Sequence, residues 1–166
     1  MQRYRRSPKG KNMGGKQGER GQQFCFYSAF IQMNENKQLL LVEDDLYSAE
    51  TLKFALEAKG HDVTLATNGR DALNMVNDDM PQLIILDVMM PKMDGYHFCR
   101  LIKFDARYKH IPIIIVSSKI QDADRELGLA CGANEYITKP YDLNILISTV
   151  EESLNNLVEE VNNANI

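Results

Sequence analysis

From Gln38 onward the chain alternates short apolar runs with segments of helical period, and this alternation constrains the fold more than any other feature. The runs at 38–42 (QLLLV), 62–66 (DVTLA), 82–86 (QLIIL), 112–116 (PIIIV) and 135–138 (EYIT) are too short for helices and read as strands. Helices are expected near 46–59, 69–78, 95–104, 122–131 and 142–160. Strands that regularly alternate with helices are joined by crossovers, which makes the sheet parallel and the fold class α/β. Gly60 and Gly132 follow helical runs, where a left-handed residue can close a helix, and Asp94 stands where an N-cap is needed before the third helix.

The first, third and fourth runs are continuously apolar, as strands covered on both faces must be. The second and fifth alternate, which places them at the edges. With right-handed crossovers, the simplest arrangement that satisfies these edges is the flavodoxin-like doubly wound five-stranded sheet, order 2-1-3-4-5, with five helices.

A chain of 166 residues suits one domain, here expected over 38–160, with a short tail at 161–166. Residues 1–37 read as a basic, disordered extension. Seven of the nineteen basic residues of the chain fall within 1–20 against one acid, and large aliphatic residues are nearly missing there. Phe24 to Ile31 is apolar but short and lacks a small-residue cleavage site, so a signal peptide is disfavoured. Residues 1–32 are either a genuine tail or lie upstream of a true start at Met33. The remaining body is strongly acidic within an overall formal charge of -4, which disfavours direct nucleic-acid binding. No run of 18 apolar residues exists to span a membrane. Cys25, Cys99 and Cys131 lack metal-ligand spacing and read as reduced thiols, which points to the cytoplasm.

Ligands of open parallel sheets bind at the carboxyl ends of the strands, where the strand order reverses. Those ends carry Glu43-Asp44-Asp45, Asp87, Ser117-Ser118 and Thr138-Lys139-Pro140. Crowded carboxylates repel, and a divalent cation relieves the repulsion. Mg2+, or the similar Mn2+, takes oxygen ligands and often only one or two protein carboxylates. Asp44 and Asp87 are the candidate direct ligands, with Glu43 acting through a water. Lys139 supplies a second positive charge and Ser117 a hydroxyl for an incoming phosphoryl oxygen. Phosphoryl transfer depends mainly on positioning and charge neutralisation, and an aspartate can be the covalent acceptor. Asp45 and Asp94 read as helix caps, and Met89 and Met90 as packing residues, because a hard cation prefers oxygen to thioether. His61, His97 and His110 lie away from this edge.

These residues resemble the signature of the response-regulator receiver domain of two-component signalling, and the match runs from Leu39 to about Leu157. It comprises Glu43-Asp44, the LDVMMP block at 86–91 with Met93-Asp94-Gly95, Ser117, and Lys139-Pro140 after Tyr136. The resemblance implies a single-domain, chemotaxis-receiver-like response regulator. Asp87 is then the phospho-acceptor, supplied by a sensor histidine kinase or phosphotransfer protein. Mg2+ is held by Asp44, Asp87 and the backbone carbonyl of Met89. Ser117 and Tyr136 form the switch, with the ring turning inward as the hydroxyl follows the phosphoryl group. A downstream protein reads the face made by the fourth helix, fifth strand and fifth helix, and the protein is a monomer or a phosphorylation-linked dimer. The resemblance also implies a cis Lys139-Pro140 bond, and a signalling acceptor that promotes its own phosphoryl transfer rather than an enzyme. Ser117 and Ser118 depart from the more usual threonine and alanine.

Competing functions fail at named positions. A flavin module would need a phosphate loop after the first strand, where Glu43-Asp44-Asp45 would repel phosphate. An aspartate-based phosphatase would place a second aspartate two residues beyond Asp87, and that residue is Met89. An interaction module independent of phosphorylation usually loses the acceptor or the lysine, and both are present.

Overall fold

The computed structural model describes residues 36–90 and 93–164. The expectations for residues 1–35, including the basic segment, the Met33 start and Cys25, lie outside the described residues, as does Pro91 of the LDVMMP block.

Five strands, β1 (Gln38–Val42), β2 (Asp62–Ala66), β3 (Leu83–Asp87), β4 (Ile113–Ser117) and β5 (Glu135–Thr138), form one parallel sheet of order β2-β1-β3-β4-β5. Five helices alternate with them: α1 (Leu46–Glu57), α2 (Gly69–Asp78), α3 (Gly95–Phe104), α4 (Asp122–Ala130) and α5 (Leu143–Ala164). This is the doubly wound flavodoxin-like order expected from the apolar pattern. β3 and β4 are buried at every residue, whereas β2 and β5 alternate, so the central and edge strands fall where their composition places them.

Two cores form because the sheet is covered on both faces. One packs α2, α3 and α4 against Leu40, Ile84, Leu86 and Ile115, and the other packs α1 and α5 against Leu39, Leu41, Ile85 and Ile114. In α5, Leu146, Val150, Leu154 and Leu157 are buried at helical spacing.

Helix ends follow local chemistry. Asp45 accepts from Ser48 N at 2.7 Å and caps α1, Asn68 caps α2, and Asp94 accepts from Tyr96 N at 3.1 Å to cap α3. Gly60 and Gly132 adopt φ of 92° and 96° after α1 and α4, a region that costs other residues more.

The first and fourth helices end at Glu57 and Ala130, short of the expected 59 and 131, and three further elements also differ from expectation. β3 and β4 each sit one residue later, so Asp87 and Ser117 are the last strand residues rather than the first loop residues. Gln82, just before β3, still donates its N–H to the Gln38 carbonyl at 2.8 Å, and its side-chain Oε1 accepts from Gln38 N at 3.0 Å. Pro112 has no N–H to give, and only its carbonyl serves, accepting from Ile84 N at 3.0 Å. The third difference is α5, which continues to Ala164 and takes in most of the stretch expected as a tail.

Candidate phospho-acceptor site

The register of the central strands assembles the site. Val42 pairs with Leu86, which sets Glu43 beside Asp87 at the next step, and Ser117 pairs with Thr138, which brings Lys139 to the same edge. Lys139 N donates to the Ser117 carbonyl at 2.8 Å, and Glu43 N to the Ala66 carbonyl at 3.0 Å, so both backbones are held as they leave the sheet. The Lys139–Pro140 peptide is cis.

The lysine ammonium lies between two carboxylates, donating to Asp87 Oδ2 at 2.6 Å and Glu43 Oε2 at 2.7 Å. The other Asp87 oxygen, Oδ1, accepts from Met89 N at 2.7 Å, which fixes the carboxylate plane. A carboxylate offers about four lone-pair positions. Each Asp87 oxygen therefore retains capacity for a further partner. Glu43 Oε1 accepts from Asp45 N at 3.2 Å.

Glu43 and Asp87 are buried, each 6% exposed, whereas Asp44 is exposed at the mouth of the cluster. Ligand oxygens of the three lie within 4.8 Å of one another. Burial holds Glu43 above the ordinary carboxylate range, against the pull of the Lys139 hydrogen bond, and the Asp87 charge pushes the same way. Burial pulls the Lys139 ammonium down, but its bonds to Asp87 and Glu43 outweigh this and raise its pKa. The site is thus a cluster of negative charge only partly offset by one lysine. An all-oxygen set of this size suits a hard divalent cation, and Met89 is 53% exposed, with a thioether that such a cation does not favour.

Ser117 is fully buried, and its Oγ accepts from Lys119 N at 3.1 Å. Tyr136 is buried at the middle of β5, two strands from Asp87. Its hydroxyl donates to the Lys119 carbonyl at 3.1 Å. Ser117 and Tyr136 therefore meet at the same residue, Lys119 of the β4–α4 loop. His61 is buried at the opposite strand end with Nε2 2.8 Å from Glu151 Oε1, and His97 is exposed on α3. Cys99 and Cys131 are free buried thiols, and burial pushes Cys99 up to about 12, which leaves that thiol chemically quiet.

The sequence reading named Gly95 only as part of the Met93-Asp94-Gly95 match, without its packing role, and missed Tyr96 and Gly128. Gly95 sits where a Cβ would stand 2.5 Å from Val88 Cα and 2.8 Å from the Asp87 carbonyl oxygen, so α3 can approach the acceptor strand only with glycine there. Tyr96 is buried at the start of α3, on one face with Cys99 and Ile102. That spacing was legible, and a buried tyrosine needs a hydroxyl partner, but the partner lies on distant elements.

Known proteins share this fold. A signal receiver domain of a signal transduction histidine kinase from Syntrophus aciditrophicus is 38% identical, with a TM-score of 0.69 over 72% of this chain and 91% of that one. A response-regulator receiver domain from Francisella is 30% identical, with a TM-score of 0.69 over 73% and 98%. A chemotaxis response regulator of Vibrio cholerae is 27% identical, with a TM-score of 0.67 over 71% and 98%. A probable transcriptional regulatory protein of Picosynechococcus sp. is 36% identical over 124 residues, 70% of this chain. The chain spans about half the length of that curated relative, 49%. The sequence model of the response regulator receiver domain matches residues 39–151, which take in every strand end of the acidic cluster. On that match and on the fold and strand-end cluster together, the chain belongs to the response regulator receiver domain family.

Proposed function

We propose that Asp87 accepts a phosphoryl group from a phosphohistidine of a sensor histidine kinase or phosphotransfer protein, and that the modification alters a protein-binding face. The observation that carries this reading is the Asp87 carboxylate, oriented by Met89 N at 2.7 Å and met by Lys139 Nζ at 2.6 Å within an acidic trio. In the transfer, an Asp87 oxygen forms the new P–O bond while the donor P–N bond breaks, and the departing imidazole keeps the electron pair and takes a proton. Lys139 is placed to follow the phosphoryl oxygens as negative charge spreads over them.

A divalent cation, Mg2+ or Mn2+, fits the oxygen set, with Asp44, Asp87 and the Met89 carbonyl as ligands and Glu43 acting through a water. When bound, it supplies the charge neutralisation that lets a phosphoryl group approach these carboxylates. Ser117 carries the hydroxyl nearest in register to the acceptor. The bond it accepts from Lys119 N leaves its own proton available for a phosphoryl oxygen. Through Lys119 the change reaches Tyr136 and the surface of α4, β5 and α5, which is the face proposed for the downstream protein.

The body is acidic and, among the described residues, no helix is long and apolar enough to cross a membrane. The reading therefore involves neither direct nucleic-acid contact nor membrane insertion. It places the protein in the cytoplasm as a monomer or a phosphorylation-linked dimer.

Incubation with acetyl phosphate, with and without Mg2+, followed by intact-mass measurement tests the reading. The expected result is one added phosphoryl group that requires Mg2+ and disappears in Asp87→Asn. Undiminished labelling of Asp87→Asn would overturn the assignment.

A further inference from the structure

Among the described residues, the Tyr136 hydroxyl bonds to neither Asp87 nor Ser117. It donates to the Lys119 carbonyl at 3.1 Å and lies 3.5 Å from the Tyr96 hydroxyl. Tyr96 in turn donates to the Asp124 carbonyl, in the first turn of α4, at 3.3 Å. The Lys119 ammonium lies 5.2 Å from the centroid of the Tyr96 ring and 3.9 Å from the Asp124 carboxylate. The Tyr96 side chain thus touches the Tyr136 hydroxyl directly and also helps hold the residue whose carbonyl receives the Tyr136 proton. Behind the ring lies Gly128 of α4. A Cβ there would stand 2.7 Å from Tyr136 Cδ2, 3.1 Å from Cε2 and 3.2 Å from Ile115 Cδ1.

We propose that Tyr96 and Gly128 form a seat that holds the Tyr136 ring inward, which makes Tyr96 a positioning residue that sets the resting bias of the α4/β5/α5 face. The proposal rests on the reading of that face as the output surface given under Proposed function. An equilibrium between an inward and an outward ring shifts only by what one state gains over the other. The contacts with Tyr96, the Lys119 carbonyl and the open Cα of Gly128 exist only for the inward ring. Their contributions differ in kind. The two Tyr96 oxygen distances are long for hydroxyl hydrogen bonds, so that contribution is modest. The missing Cβ of Gly128 is a steric condition, and the Tyr136 ring is the mobile party, because a side chain can turn where the α4 backbone cannot.

The test uses the full chain carrying 3-fluorotyrosine, with the Tyr136 resonance assigned by its loss in Tyr136→Phe and the inward-to-outward ratio read by fluorine NMR. Tyr96→Phe keeps the ring and removes the hydroxyl, and is expected to move the ratio about two- to threefold toward the outward state, the low end for one hydrogen bond, because the contact is long. Gly128→Ala is expected to move it further in the same direction, since the added methyl group occupies the ring position. Asp87 labelling by acetyl phosphate in Tyr96→Phe should match the unaltered chain, because the Tyr96 hydroxyl bonds to neither Asp87 nor Lys139.

An unchanged ratio in Tyr96→Phe, with circular dichroism showing an intact fold, overturns the proposal whether or not Gly128→Ala folds. The two readings fail separately. If the unaltered chain takes no phosphoryl group yet Tyr96→Phe shifts the ratio, the seat stands and the phospho-acceptor reading falls. If labelling proceeds and the ratio does not move, the seat falls alone.

Discussion

Lys139 carries the charge balance of the strand-end cluster, because among the described residues its ammonium is the one cation bonded to both buried carboxylates. Lys139→Met keeps most of the stem volume and removes the charge, leaving Glu43 and Asp87 facing each other. Breaking a fully buried pair costs several kcal/mol, but this lysine is 22% exposed and water can reach it. A loss of about 1–3 kcal/mol at neutral pH is therefore expected in denaturant unfolding. The pH dependence has a definite sign. The Lys139 pKa is raised above its ordinary 10.5, so the stabilisation is fully present below that value and fades as pH rises through the raised one. The difference between the unaltered chain and Lys139→Met should accordingly shrink at strongly alkaline pH, as the ammonium loses its proton, and also at acid pH, as the Glu43 carboxylate takes one up. A difference that vanishes already at neutral pH would show the pair to be energetically idle. Asp87 and Lys139 were legible in the sequence because charged residues directly after apolar strands have few structural explanations. Tyr96 and Gly128 were not, because their roles exist only where α3, α4 and β5 meet, 32 and 40 residues apart in contacts such as Cys99–Cys131 and Tyr96–Tyr136.

At the scale of elements, the acceptor strand is positioned by how closely α3 can approach it. Gly95 makes that approach possible: the atoms an added Cβ would meet are the Val88 Cα and the Asp87 carbonyl oxygen, both backbone, at 2.5 and 2.8 Å. Neither can rotate away as a side chain could. Gly95→Ala should therefore cost about 1–3 kcal/mol, as overpacking of a tight site does, even though alanine favours the helix itself. It should also slow acetyl phosphate labelling, because Asp87 must shift with its own carbonyl. Equal stability and equal labelling rate would show that α3 can slide without disturbing β3. Strand type and the two edge strands were readable from composition, since β3 and β4 are apolar throughout and β2 and β5 alternate, whereas the order of the inner three rested on taking the simplest right-handed crossovers. The one-residue displacement of β3 and β4 was not read, although Pro112, which has no N–H to give, was a signal for the later start of β4. The extension of α5 had a signal that went unused: no glycine or proline occurs from Leu143 to Ile166 to stop it.

The molecule as a whole combines an acidic body with a site where three carboxylates share a space of less than 5 Å, and this links folding stability to divalent cations. Burial already holds Glu43 above the ordinary carboxylate range, so keeping the cluster ionised at neutral pH costs free energy that Lys139 only partly returns. A cation that binds the folded cluster and not the unfolded chain stabilises the fold by mass action, by about 1.4 kcal/mol at ten times its dissociation constant. For a domain of this size that corresponds to a rise of roughly 3–6 °C in Tm. Mg2+ should produce such a rise at pH 7, and an inert salt at equal ionic strength should not. Asp44→Ala separates ligand from scaffold, because Asp44 is exposed and outside both cores. Without Mg2+ the variant should melt close to the unaltered chain, since removing one of three repelling charges offsets the loss of a surface group. With Mg2+ it should show a much smaller rise. A large fall in Tm without Mg2+ would mean that Asp44 holds the loop between β1 and α1, whereas an undiminished rise with Mg2+ would move the cation to other ligands.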